Sequence, residues 1–151
     1  MSVAREKAVC PLPPDKALDL WLELRRWPTF VDGFAKVTEQ RGEWPSAGAQ
    51  VVWESRAGGR GRVTEKITAY DPARRVVVSV FDKQLAGRQT VIVEADEHGC
   101  SINVELDYLL TDDSPLKKIA DLIFIRRALR DSIRRTLRRF VVEAAEEAEL
   151  G

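Results

Sequence analysis

Histidine occurs once in the 151 residues, cysteine twice, and the 24 basic and 24 acidic side chains cancel to leave no net charge. Each shortage excludes something. A single histidine, His98, cannot build a His-rich metal site or supply a Ser-His-Asp triad. It also sits in Asp96-Glu97-His98-Gly99, a turn sequence that places it in a solvated loop. Cys10 and Cys100 form neither a CxxC site nor a disulfide framework, and in a reducing compartment they are expected to stay inert thiols. With zero net charge, no whole-molecule field draws the chain to nucleic acid or membrane, so any such attraction must be local. No apolar run approaches the roughly 20 residues of a membrane span. The opening Met-Ser-Val-Ala-Arg-Glu-Lys lacks the apolar stretch of a signal peptide, and a cytoplasmic protein is the expectation. Gly58-Gly59-Arg60-Gly61 has no helix after it, so it is a hairpin loop and not a phosphate cradle. Neither metal nor cofactor is expected.

What remains is one organised unit, residues 1–151, without repeats or linker. A chain of this length buries roughly 68 to 70% of its unfolded surface, enough for a proper core. Val3 to Cys10 reads as a strand ended by Pro11-Leu12-Pro13-Pro14. Pro14 suits the first turn of a helix, Asp15 favours its N-terminal dipole, and Ala17, Leu18, Trp21 and Leu22 give it an apolar stripe. That helix is expected to stop near Arg26, because Pro28 disfavours helical geometry at Trp27. Trp27-Pro28-Thr29-Phe30-Val31 then begins a second short helix, with Gly33 near its end.

From Ala35 the hydrophobic period changes to two. Turn signals at Gly42 to Gly48, Gly58 to Gly61, Asp71-Pro72-Ala73, Ala86-Gly87 and Asp96 to Gly99 divide the chain into six strand-length pieces. Six strands in series form a meander, and the first strand makes seven. Alternation turns Val51, Trp53 and Ser55 inward, and likewise Ile102, Val104, Leu106, Tyr108 and Leu110. In Val63 to Tyr70 the same register carries Val63, Ile67, Ala69 and also Glu65, a carboxylate on a face where an unpaired charge costs several kcal/mol.

At Ser114-Pro115 the period changes again, to that of one long helix capped by Ser114. Its apolar stripe reads Leu122, Ile125, Leu129, Ile133, Leu137, Phe140 and Ala144. Advancing about 100 degrees per residue from Leu122 brings Arg126 inside that stripe, while Arg130 and Arg134 drift off it. An antiparallel sheet covered by a single helix leaves a furrow between them, and furrows hold ligands.

The order of strand, two short helices broken at Trp27-Pro28-Thr29-Phe30, meander with Val63-Thr64-Glu65-Lys66-Ile67 and Asp71-Pro72-Ala73-Arg74-Arg75, and long helix resembles the SRPBCC superfamily of START and polyketide cyclase/dehydrase-like proteins. The resemblance spans nearly the whole chain. It implies an α+β helix-grip fold, a curved seven-stranded antiparallel sheet wrapped around the C-terminal helix with a hydrophobic cavity between. Members include lipid carriers, coenzyme Q binding proteins, hormone receptors and polyketide cyclases or aromatases, and fold alone does not choose among them. The implied topology sets the first strand beside the last, which would bring Cys10 near Cys100 and keeps a bridge between them open.

Phe34, Trp53, Glu65, Ile67, Tyr108, Leu122 and Arg126 are the candidate ligand-binding residues. Trp21, Trp27 and Phe30 read as core packing, and Trp44, beside Pro45 in a loop, as either a flank of the entrance or a cap on it. Three readings of Glu65, Tyr108 and Arg126 stay open. Glu65 pairs with an arginine such as Arg126 in a purely structural role. Alternatively, these groups anchor the carboxylate or carbonyl of a small hydrophobic or amphipathic ligand that the protein carries or senses. In a third reading, a polyketide cyclase/dehydratase-type enzyme acts on a poly-ketone, with Glu65 as general base on an enolisable carbonyl and Arg126 stabilising the enolate. A separate reading concerns the outside of the long helix, where Lys117, Lys118, Arg126, Arg127, Arg130, Arg134, Arg135, Arg138 and Arg139 greatly outnumber Asp121 and Asp131. That exterior is either a solvated face offset by Glu143, Glu146, Glu147 and Glu149, or a docking surface. In the second case Arg127, Arg130, Arg134 and Arg138 make salt-sensitive contact with RNA, anionic membrane or an acidic protein.

Overall fold

The strand-like alternation folds as expected into consecutive antiparallel strands: β2 (Phe34–Arg41), β3 (Gln50–Ser55), β4 (Arg62–Asp71), β5 (Arg75–Phe81), β6 (Leu85–Asp96) and β7 (Gly99–Leu110). The computed structural model describes residues 2–111 and 114–151, the side chain of Lys117 lying outside the description. The first strand, β1 (Ser2–Cys10), pairs with the last, so the sheet runs β1-β7-β6-β5-β4-β3-β2. In that pair Cys10 faces Cys100 directly, yet both are free buried thiols.

One turn differs from expectation. Ala86-Gly87 lies inside β6, and the chain reverses earlier, at Asp82. The Asp82 carboxylate makes that turn by accepting hydrogen bonds from the backbone N–H of Gln84 at 2.7 Å and of Leu85 at 3.0 Å. Gly87 is needed for another reason: a Cβ there would lie 2.7 Å from the Asp107 carbonyl oxygen and 3.1 Å from the Tyr108 Cβ. Its strand mate Tyr108 occupies that room.

The helices follow their start signals more closely than their stops. α1 (Pro14–Leu22) begins on its proline and ends at Leu22, short of the expected Arg26, and a 3₁₀ turn (Leu24–Arg26) leads into α2 (Trp27–Phe30). Two indoles hold the junction, Trp27 Nε1 donating to the Trp21 carbonyl and Trp44 Nε1 to that of Leu22, both at 2.8 Å. Carbonyls left over in the last helical turn thus find donors without water. Trp44 therefore braces α1.

The closing helix is long, as expected, but not α-helical throughout. α3 (Pro115–Ala120) runs into a π-turn (Asp121–Ile125) before α4 (Arg126–Leu150). Ile133, Leu137, Phe140 and Ala144 are buried as the stripe requires, with Ile125 and Leu129 half-buried. Leu122, expected at the head of that stripe, is 65% exposed. The wider π-turn inserts an extra residue into one turn and rotates everything before it, so Asp121 takes the inward place instead. Further along, Phe140 meets Trp21 and Phe30 edge-on at 5.3 and 5.2 Å, fixing α4 against α1 and α2. The curved sheet and this helix enclose the core in a helix-grip arrangement.

Candidate functional site

Between the concave face of the sheet and α4 lies a cavity of about 70 Å³, walled by Trp21, Trp27, Phe30, Val31, Trp53, Val104 and Ile133. Its polar groups are Glu65 and Gln89 from the sheet, Arg60 from the β3–β4 loop, Asp32 after α2, and Ser132 and Thr136 from α4. Alternation on β4 puts Glu65 inside, between the buried Val63 and Ile67. Trp53 Nε1 donates to Glu65 Oε2 at 2.7 Å, and among the described residues nothing donates to Oε1. Burial raises the Glu65 pKa above the usual carboxylate range, and the Trp53 hydrogen bond and the Arg60 charge only partly oppose it. Glu65 therefore keeps its proton to higher pH than a solvated glutamate does.

Arg60 covers Trp53, its guanidinium carbon 5.7 Å from the ring centroid, while its Nε donates to the buried Asp82 at 2.9 Å. Its Nη2 is buried and has no partner among the described residues. Phe34 and Ile67 back this wall without reaching the cavity. Phe34 stands 5.4 Å from Trp53 and 6.1 Å from Trp27, and Ile67 is fully buried in the core.

On the opposite wall, Asp32 ties the end of α2 to α4. It accepts hydrogen bonds from Arg135 at 3.1 and 3.0 Å, Ser132 at 2.8 Å and Arg139 at 3.3 Å, while its backbone N–H donates to Thr136 Oγ1 at 2.9 Å. Burial would raise its pKa, but the Arg135 and Ser132 hydrogen bonds and the two arginine charges outweigh that and hold it below the usual range.

Tyr108 and Arg126 come together elsewhere, around the missed residue Asp121. The Tyr108 hydroxyl donates to Asp121 Oδ1 at 2.6 Å, and Ser2 Oγ donates to Oδ2. Burial, reinforced by the neighbouring carboxylate, pushes the Tyr108 pKa up to about 12. Arg126 lies against the same hydroxyl, with its Nε buried and unpartnered among the described residues. The Glu65–Arg126 pairing left open by the sequence is not formed, because β4 and the start of α4 deliver the two side chains to different partners. Close by, a second cavity of about 160 Å³ is lined by Leu85, Leu110, Ile125 and Leu129 with Lys83, Gln84 and Thr111.

The signals for the missed residues were present but weak. Asp121 stands four residues before Ile125, on the same helical row, and Arg60 is the one long side chain in its glycine loop. Asp32, Gln89 and Asp82 carried no local pattern. Part of the basic exterior is engaged: Arg130 and Arg134 both reach Glu6, at 3.6 and 2.8 Å, and Arg135 and Arg139 hold Asp32. Arg127 and Arg138 have no ion-pair partner among the described residues.

One long helix gripped by a seven-stranded antiparallel sheet, with a cavity between them, defines the helix-grip class of the SRPBCC superfamily. The chain belongs to the family described as polyketide cyclase / dehydrase and lipid transport, whose profile matches residues 1–145. No curated protein matches it at the sequence level. Among solved structures, TTHA0849 from Thermus thermophilus is similar with a TM-score of 0.79 at 15% identity, over 97% of this chain and 99% of that one. A Rhodobacter sphaeroides protein gives 0.73 at 16% identity, over 96% and 93%. The di-domain ARO/CYC StfQ of the steffimycin biosynthetic pathway gives 0.75 at 11% identity, over 97% of this chain and 51% of that one. At such identities the likeness is one of fold. Among the described residues no helix is long and apolar enough to cross a membrane.

Proposed function

We propose that the protein binds a small hydrophobic or amphipathic ligand in the cavity between sheet and α4, with Glu65 as its polar anchor. One observation carries this reading: a buried carboxyl has a single hydrogen-bond partner among the described residues, Trp53, and its other oxygen is unengaged beside a cavity walled by aromatic and polar side chains. A structural carboxylate would have its lone pairs filled, as Asp32 and Asp82 do. In its protonated form Glu65 donates to a ligand carbonyl or carboxylate, and Gln89 and Arg60 Nη2 add polar contacts at the same wall. A cavity of about 70 Å³ holds roughly two waters, so a larger ligand displaces the Arg60 loop or α2 as it enters. The family description, which includes lipid transport, supports an amphipathic occupant.

A second reading rests on the same carboxyl. A carboxyl whose pKa is raised by burial is suited to proton transfer near neutral pH, as a cyclase or dehydratase acting on an enolisable carbonyl requires. The likeness to StfQ and the family description support it, and Arg60, not Arg126, is then the cation nearest the developing charge.

Native mass spectrometry of the purified protein, followed by extraction of any retained molecule, tests the first reading. An apolar or amphipathic compound that Glu65→Gln releases or weakens is the expected result. A protein that retains nothing, and a Gln variant that binds added fatty acids and aromatic ketones as the wild type does, would overturn it. Turnover of an extracted or added ketone that Glu65→Gln abolishes, with binding retained, selects the enzymatic reading.

A further inference from the structure

The surface least like that of an ordinary monomer lies outside the cavity, on the segment that leads into α4. Leu116, Ile119, Leu122, Ile123 and Phe124 are 79%, 59%, 65%, 54% and 68% exposed. Exposed apolar side chains are normally scattered singly over a soluble surface; here five fall within one short stretch. The π-turn arranges them. Asp121 is turned inward to the Tyr108 hydroxyl and Ile125 is half-buried, so Ile119 and Ile123, spaced between those inward positions, look out with Leu116 and Phe124 beside them.

Charge decides what complements this face. Lys118, Arg127 and Arg130 are exposed along it, and the only acid from Pro115 to Arg130 is Asp121, buried and hydrogen-bonded. Lys118 and Arg127 have no ion-pair partner among the described residues, whereas Arg130, Arg134, Arg135 and Arg139 further along are turned to Glu6 and Asp32. Large apolar side chains interspersed with accessible cations, and no accessible acid among the described residues of Pro115 to Arg130, match a surface that is anionic at its boundary and apolar beneath. RNA would use the cations and leave the apolar face in water.

We infer that Pro115–Arg127 is an interfacial docking segment that seats the protein on an anionic lipid bilayer. Ile119, Ile123 and Phe124 enter the acyl boundary, and Lys118 and Arg127 lie at the level of the headgroups. The second cavity, which Ile125 and Leu129 line from the inner side of this region, is thereby brought toward the lipid. This docking does not depend on the role proposed for Glu65.

Sedimentation of the full chain with vesicles of phosphatidylcholine containing phosphatidylglycerol tests it, beside vesicles of phosphatidylcholine alone. The wild type is expected to bind the anionic vesicles, and to bind them less as salt rises. Ile119→Gln/Ile123→Gln/Phe124→Gln, which changes only exposed positions and keeps good helix formers, should weaken binding by more than about tenfold with unchanged circular dichroism. Lys118→Gln/Arg127→Gln should weaken binding to anionic vesicles alone. Failure of the folded wild type to bind at low salt would overturn the inference, as would a triple variant that binds undiminished. So would a wild type that dimerises through this patch in sedimentation equilibrium, with the triple variant monomeric and neither binding lipid. Retention of an RNA oligonucleotide more tightly than vesicles, unaffected by the triple substitution, would overturn it as well.

Discussion

Trp53 and Glu65 meet on adjacent strands, the indole Nε1 donating to Oε2 at 2.7 Å in the wall of the cavity. The bond satisfies one oxygen of a carboxyl that burial otherwise isolates. Desolvation still dominates, so the proton stays on Glu65 to higher pH than on a solvated glutamate.

Glu65 therefore binds its proton more tightly in the folded chain than in the unfolded one. Its contribution is complete below the ordinary carboxylate range and is lost as pH rises through the raised native value. Glu65→Gln removes that dependence. Thermal unfolding of both proteins from about pH 4 to about pH 8 should show the variant gaining on the wild type through this window, by about 1.4 kcal/mol for each unit of native shift. A difference that stays flat with pH would show that Glu65 is not held in its acid form.

Asp32 carries the opposite sign. Its native pKa is lowered, so its contribution is present above the unfolded value and is lost as pH falls through the native one. Asp32→Asn should cost about 1 to 3 kcal/mol near neutrality, by losing charged hydrogen bonds to Arg135 and Ser132. Urea denaturation should show that cost shrinking in acid, and a cost constant down to low pH would contradict it.

Tyr108→Phe leaves the buried Asp121 carboxylate with Ser2 as its remaining hydrogen-bond donor among the described residues. Destabilisation by about 1 to 3 kcal/mol is expected from chemical denaturation, since the acceptor stays buried after its donor is gone. Tyr70→Phe leaves Tyr108 as the only tyrosine, and its phenolate absorbance should then appear near pH 12, well above the usual tyrosine range. A midpoint near that of free tyrosine in the folded protein would rule out the buried pairing.

Cys10 and Cys100 face each other across β1 and β7, and burial pushes the Cys100 thiol up to about 12. With so little thiolate present, a disulfide reagent at mildly alkaline pH should react slowly with the native protein and with two thiols once it is unfolded. Rapid labelling of the native form would refute this.

Much of the sheet was legible because its signals are local. Alternation placed Trp53, Glu65, Ile67 and Tyr108 on the inner face, and the implied neighbourhood of Cys10 and Cys100 agrees with the observed register. The turn near Asp82 was misread because Gly87 looks like a loop residue, when it is there for Tyr108 on the next strand. Among the candidate site residues, Trp53 and Glu65 line the cavity, Phe34 and Ile67 stand behind it, and Leu122 lies outside. Arg126 is half-buried beside Tyr108 and Asp121 and apart from Glu65, although Leu122, from which its inward place was counted, lies in solvent.

By itself, then, the sequence determined the order of elements, the inward residues of β7, of the start of β3 and of β4 as far as Ile67, where a bulge shifts the register, and the amphipathic course of the closing helix, because these follow from periods of two and 3.6 residues. Only the tertiary structure decided which polar groups meet. Pairings such as Glu65 with Trp53, Asp32 with Arg135, and Asp121 with Tyr108 join residues on different elements, so no local spacing encodes them. The π-turn belongs with them: it turns Asp121 to a buried tyrosine and leaves Leu122, Ile123 and Phe124 in solvent, where an ideal helical period would have placed Leu122 in the core.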